Sequence, residues 1–397
     1  MFRKLVSRND DLGRLVEKGY AVGFAGGYLV VRDIPYLDGN AQLRWGAIVT
    51  KLVFIDQERV QQDDHQVFFA GSVPHELDGT PVRNLGGGPA TLHLDGCPDV
   101  VVERSFSNKP KSTGKFADFF DKIESYVRII SGPAMARFGG NPLTFRIVEE
   151  VESTSVFKVQ DTLTSRAEIG DLAAKFSDDV VAVIGLGGTG SYVLDLLVKT
   201  PVQGIRAFDG DDFHVHTAFR SPGRLDPEAE LGRSKATVYA ARYENFRYGL
   251  IVAERYIDAG SAADLEGVTF AFVCVDKGSA RAEIFELLIA LAIPFIDVGI
   301  GLSRKNDALR GMLRTTYYPP EEAARIRDLG FAELREDPDG VYRTNIQIGE
   351  LNALNACLAV IRYKQLRGFY HDAGSADHLL FDITDLKTVG ETYDDAS

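Results

Sequence analysis

Cysteine is scarce in this chain: three residues in 397, Cys97, Cys274 and Cys357, stand far apart with no CxxC pair. That spacing excludes a disulfide framework and a cysteine zinc site. Long apolar runs are missing as well, since no stretch approaches the roughly 18 uninterrupted apolar residues of a spanning helix. The opening MFRKLVSRNDDLGRLVEKGY has no apolar segment like that of a secretory signal. The expectation is a cytoplasmic protein that touches no membrane. Positive charge is in deficit, with 44 Lys and Arg against 57 Asp and Glu and a net charge of -13. Phosphate backbones are repelled by such a field, so no nucleic-acid partner is expected. Internal repeats and low-complexity tracts are absent.

What is present is enough apolar sequence, 45% of residues, to bury a real core, and a length suited to two domains. The character changes near residue 155. Before it, YAVGF, GYLVVRDI, WGAIVTKLVFI, HQVFFAGSV and DVVVERSF are rich in β-branched and aromatic residues and are separated by Gly, Pro, Asp and Asn. Helical spacing marks residues 10–18 and 116–130. Residues 1–155 therefore read as an α+β domain.

From Asp179 short apolar strands alternate with amphipathic helices: VVAVIG, SYVLDLLVK, GIRAFD, a long helical stretch over 228–248, LIVAERYI, VTFAFVCVD, SARAEIFELLIALA and PFIDVG. This pattern predicts, over 156–397, a doubly wound, Rossmann-like, mainly parallel sheet covered on both faces. Ligands of such sheets bind at the carboxyl ends of the strands.

Gly185, Gly187, Gly188, Thr189 and Gly190 lie between a predicted strand and a predicted helix, the context of a phosphate-binding turn. Without Cβ atoms the backbone can approach phosphates closely, and the helix N-terminus offers unpaired N–H groups. Asp209 ends the second strand, where an acidic residue bonds the ribose of a nucleotide. That much fits NAD or ATP. Arg220, the helix-borne Lys235 and Asp276 at the end of FVCVD have no use in hydride transfer. Adenylyl transfer needs cations at a triphosphate and a carboxylate for Mg²⁺.

With GLGGTGS, the Asp209-x-Asp211 pair of AFDGD followed by an arginine, Lys235 and VCVD in this order, residues 160–366 resemble the ThiF/MoeB and ubiquitin-activating-enzyme superfamily. The resemblance implies a nucleotide site of the glycine turn, Asp209 and Asp211, with Asp209 on the ribose, Arg220 and Lys235 on the ATP phosphates and Asp276 on magnesium. It also implies that Arg166, upstream of the turn, reaches the ATP of a dimer partner. Two departures stand out. Thr217 replaces the asparagine usual three residues before the arginine, and residues 303–345 contain no cysteine for a thioester. Cys357 and Cys274 read as packed thiols, which leaves direct transfer from the acyl-adenylate or a hydroxyl such as Thr315, Thr316, Tyr342 or Thr344. His214 and His216 flank the nucleotide loop with no third metal ligand in view.

The resemblance thus implies an enzyme with ATP and Mg²⁺ as cofactors that adenylates the C-terminal tail of a ubiquitin-like protein in a bacterial conjugation pathway. A homodimer is implied too. The N-terminal domain would dock the modifier or a ubiquitin-conjugating-like enzyme, or serve structure. Sulfur-carrier activation for cofactor biosynthesis, an NAD-dependent oxidoreductase and a catalytically dead scaffold are the competing readings.

Overall fold

The computed structural model describes the chain except Met1, Gln57, Asp95, 111–112, Ile147, 149–154, Gln160, Glu168, 336–345, 375–376 and 392–397. For residues 2–4, 162, 165, 166 and 391 it describes the backbone alone. Two compact units emerge, Met1–Ser155 with Val159–Asp171, and Val156–Lys158 with Leu172–Ser397.

The first unit opens with helices α1 (Phe2–Arg8) and α2 (Asp10–Lys18) and continues through strands β1 (Ala21–Ala25), β2 (Tyr28–Leu37), β3 (Leu43–Phe54), β4 (Val60–Gln62), β5 (Gln66–Ala70), β6 (Gly88–Pro89) and β7 (Arg104–Ser107) to helix α3 (Phe119–Phe138). The strands pair antiparallel in the order β1-β2-β3-β5-β7-β6, with β4 on β3. Alternation along β2 sends Leu29 and Val31 toward Phe119, Ile123, Tyr126 and Ile130 of α3. Tyr28 and Val30 face the opposite side, beneath Leu94, Val100 and Val102.

Asp118 caps α3 by accepting from the Asp121 N–H at 2.7 Å. The helix begins three residues later than expected and runs eight further, through Pro133, to Gly139 in the left-handed region at φ 65°. Proline removes one intrahelical bond, but Ile130, Pro133 and Ala134 stay buried and hold the helix to the sheet. Also on α3, Lys122 is turned into the core, its Nζ donating to Thr50 Oγ1 at 2.7 Å and to the Asp64 carbonyl at 2.8 Å. Two short helices follow, α4 (Thr162–Ala167) and α5 (Gly170–Ala173).

The second unit contains β8 (Val180–Ile184), α6 (Gly188–Leu197), β9 (Gly204–Phe208), α7 (Val215–Ala218), α8 (Pro227–Glu230), α9 (Lys235–Tyr243), β10 (Leu250–Ala253), β11 (Phe270–Val273), α10 (Gly278–Ala290), β12 (Phe295–Lys305), β13 (Ala308–Tyr318), α11 (Ala323–Asp328), α12 (Gly349–Leu366), β14 (His378–Asp382) and β15 (Lys387–Glu391). The sheet order is β10-β9-β8-β11-β12-β13-β14-β15. Parallel pairing joins β10 through β12, and β13 to β15 extend the sheet antiparallel. This is the mainly parallel α/β sheet expected. Val181 and Val183 pack under α6, α9 and α12 on one face, and Ala182 and Ile184 under α10 and α11 on the other.

Two expectations need correction. The long helix over 228–248 is broken into α8 and α9, because Gly232 adopts φ 74° and the Ser234 hydroxyl caps a new helix at the Thr237 N–H. Thr315 and Thr316, named as candidate hydroxyl nucleophiles, stand on β13 within the β12–β13 hairpin. Both are accordingly buried, bonded to Asn355 and His378, and unavailable as nucleophiles. Tyr342 and Thr344 lie outside the described residues.

Candidate functional site

After β8 the chain runs to β9 and β10 on one side, then returns to β11 on the other, so β8 and β11 flank the point where the winding reverses. The carboxyl ends of strands at such a reversal are where sheets of this kind bind their ligands. Gly185, Gly187, Gly188 and Gly190 make the turn after β8. Gly185 has φ 91°, and a Cβ on it would stand 2.8 Å from the Cys274 carbonyl at the end of β11. A Cβ on Gly190 would meet the Gly185 carbonyl at 1.8 Å, and one on Gly188 would meet Asn352 of α12 at 2.4 Å. Backbone is thus packed too closely for a side chain at Gly185 and Gly190, Gly188 is crowded by the Asn352 side chain, and Gly187 has open space around it. The Thr189 hydroxyl is buried and donates to Asn352 Oδ1 at 2.9 Å, tying α6 to α12, so that Thr189 can serve the turn through its backbone amide alone.

Asp209 is buried at the carboxyl end of β9. Its Oδ2 accepts from the Leu186 N–H at 2.6 Å and its Oδ1 from the Asp211 N–H at 2.8 Å. Lys235, first residue of α9, reaches the same carboxylate at 3.2 and 3.3 Å and Asp211 Oδ2 at 2.7 Å. Burial opposes the Lys235 ammonium, yet Asp209 and Asp211 outweigh it and raise the pKa. Burial likewise opposes the Asp211 carboxylate, but its bonds from Lys235 and Tyr256 hold it below the ordinary value. The cluster is a mutually bonded array beside the glycine turn.

His216 lies near this array: burial first, then the charges of Arg220, His214 and Lys235, depress its pKa. Arg220 and Lys235 are thus both near enough to His216 for their charges to bear on it. The Arg220 Nε and the Thr217 and Ser221 hydroxyls are buried without a hydrogen-bond partner among the described residues. Such groups are costly unless something bonds them. Gly349, at the start of α12, packs against the Phe219 carbonyl and the Arg220 backbone.

Asp276 is exposed three residues beyond β11, on the loop whose Cys274 carbonyl crowds Gly185. The adjacent Lys277 bears on Asp211 electrostatically. Arg166 lies on α4 in the first unit, its side chain outside the described residues. Burial pushes the Cys274 thiol far up, with Asp297 adding to it, and burial raises Cys357 too, so both resist forming thiolates.

Two features carried no legible sequence signal. Asp297, wholly buried on β12, is clamped by Arg281 at 3.1 Å and Arg314 at 2.5 Å, an ion triad that braces α10, β12 and β13. Tyr256, just past β10, donates to Asp211 Oδ1 at 2.6 Å. The strand order, once known, is what brings that tyrosine beside Asp211.

Residues 10–162 match a domain family of unknown function, DUF6791, and residues 164–363 match the ThiF family. The chain is 24% identical over 163 residues to the tRNA threonylcarbamoyladenosine dehydratase of Escherichia coli strain K12, an alignment covering 41% of this chain and 58% of that protein. Among solved structures it resembles PaaA (18% identity, TM-score 0.42, 56% of this chain and 75% of the other). It also resembles E. coli MccB with ATP (15% identity, TM-score 0.42, 56% of this chain and 65% of the other). With about half its length matched by the family model, the chain belongs to the ThiF family.

Proposed function

We propose that this chain adenylates the C-terminal carboxylate of a ubiquitin-like protein at the expense of ATP. A carboxylate oxygen attacks the α-phosphorus, the bond from that phosphorus to the oxygen bridging to the β-phosphate breaks, and pyrophosphate leaves, giving the acyl-adenylate. The observation that carries this reading is the Lys235 ammonium held at 2.7 Å from Asp211 beside a glycine turn in which Gly185 and Gly190 have no room for a side chain.

The roles follow from chemistry. Turn amides of Gly185, Gly187, Gly188, Thr189 and Gly190 would approach the phosphates at the start of α6. Asp209 and Asp211 would face the ribose side. Arg220 and Lys235 would stabilise charge developing on the departing pyrophosphate. The orphaned Arg220 Nε and Thr217 Oγ1 support an anion there, since both are donors lacking acceptors.

A magnesium ion fits Asp276, an exposed carboxylate at a strand end with phosphate oxygens to complete the sphere, and would supply charge neutralisation of the triphosphate. Among the described residues there is no three-ligand cluster of His, Cys, Asp or Glu. Arg166 acting across a homodimer, and docking of a conjugating enzyme on residues 1–155, belong to the same proposal.

Incubating the purified chain with ATP, magnesium and a purified ubiquitin-like protein should release pyrophosphate in step with modifier concentration. Release no faster than without modifier rejects the reading. Magnesium-dependent binding of ATP with none of NAD separates it from an oxidoreductase.

A further inference from the structure

β10 ends the sheet beside β9, so the loops leaving their carboxyl ends are neighbours. Asp209 and Asp211 stand on the loop after β9, and Tyr256 on the loop after β10. The Tyr256 ring is 63% exposed. Exposed tyrosines on loops ordinarily sample several rotamers, and ordering one costs entropy. This ring is nonetheless held at its hydroxyl and along one edge. Its Oη donates to Asp211 Oδ1 at 2.6 Å, and its edge lies on Gly210, where a Cβ would come within 2.6 Å of the ring. Asp211 in turn is bound to Lys235. The bond to Asp211 pushes the phenol up to about 12, so it remains a donor at any working pH. An aromatic surface is therefore kept rigid and open to solvent beside the carboxylate proposed to hold the ribose.

We propose that Tyr256 is the platform on which the base of the bound nucleotide stacks, and so the residue that makes this site prefer a nucleoside triphosphate to a bare triphosphate. The inference rests on the nucleotide reading above. Stacking needs only a π-face on each partner and adds to affinity without hydrogen-bond readout. Phosphate contacts from the glycine turn, Arg220 and Lys235 are indifferent to the base. The two contributions are thus separable by ligand.

The test is equilibrium binding by calorimetry to the full chain with magnesium, using ATP and inorganic tripolyphosphate as ligands. Tyr256→Ala should weaken ATP by about 5- to 100-fold, the range for loss of one base-aromatic stack, and leave tripolyphosphate within about twofold. Tyr256→Phe keeps the ring and should hold ATP within about threefold. If Tyr256→Ala weakens both ligands equally, or neither, the platform is refuted while ATP binding by the wild type stands. If the wild type binds tripolyphosphate and ATP equally well, no base contact exists and the platform is likewise refuted. If it binds neither, the nucleotide reading falls and the platform with it.

Discussion

Lys235 and Lys122 are both withdrawn from water, yet their surroundings drive them in opposite directions. Lys235 is buried with two carboxylates for company, and its charged form is favoured. Lys122 is buried with a hydroxyl and a carbonyl, and its pKa falls from the ordinary 10.5 to about 8, burial outweighing the attraction of Asp64 and Asp63. A neutral partner satisfies a donor without compensating a charge. The first arrangement keeps a permanent cation beside the glycine turn. The second serves packing: Lys122 ties α3 to β3 and to the Asp64 carbonyl, and nothing about it calls for a ligand.

The largest effect is expected at the first of these. Lys235→Met should reduce ATP-dependent pyrophosphate release by at least about 100-fold, the loss typical of one transition-state charge donor. It also leaves the buried Asp209 carboxylate with two backbone N–H groups and no counter-charge, which should cost about 3 kcal/mol in denaturant unfolding. Adding Asp209→Asn to Lys235→Met should recover much of the stability and none of the activity. Recovery of both would mean that Lys235 is structural, like Lys122, and would erase the contrast.

Next in size is the pH dependence at Lys122. Its folded pKa lies below its unfolded one, so between about pH 8 and 10.5 the unfolded chain binds a proton that the folded chain does not. The penalty is fully present below pH 8 and disappears as pH rises toward 10.5, a gain of about 3 kcal/mol across the window. Lys122→Met should remove that slope, measured as the difference between the two proteins' unfolding free energies at pH 7.5 and 10. A difference independent of pH would show that Lys122 keeps its proton in the fold. Pyrophosphate release by Lys122→Met should match the wild type at pH 7.5.

Much of the candidate site was legible because its pattern is local. GLGGTG reads as a close turn, and Gly185 and Gly190 indeed leave no room for a Cβ, while Asp209 and Lys235 place charge at the end of a strand and the start of a helix. The sheet followed from alternation of apolar strands with helices. What stayed hidden depends on contacts between distant residues. Tyr256 reaches Asp211 across 45 positions, Thr189 turns to Asn352 across 163, and Asp297 finds Arg281 and Arg314 from different elements. No periodicity announces such pairs. The broken helix at Gly232 is a different failure: the apolar pattern runs on past a residue whose backbone, not side chain, ends the helix.

The smallest expected effect sharpens the comparison from the carboxylate side. Asp211→Asn leaves Lys235 on Asp209 and removes the more exposed of its two counter-ions, whose side chain is 55% accessible. Solvent screens such a pair, so the stability change should be about 0.5 to 1 kcal/mol at neutral pH. Its sign with pH is opposite to that of Lys122. The folded carboxyl titrates below its ordinary 3.8, so its contribution is present above that value and lost as pH falls through the lowered folded pKa. Wild type and Asp211→Asn should therefore differ at pH 6 and converge in acid unfolding as pH falls below the ordinary 3.8 and through the lowered folded pKa. A difference that persists undiminished there would mean that Asp211 acts through its bond from Tyr256 and not through charge, which would place the restraint of Lys235 in Asp209 alone.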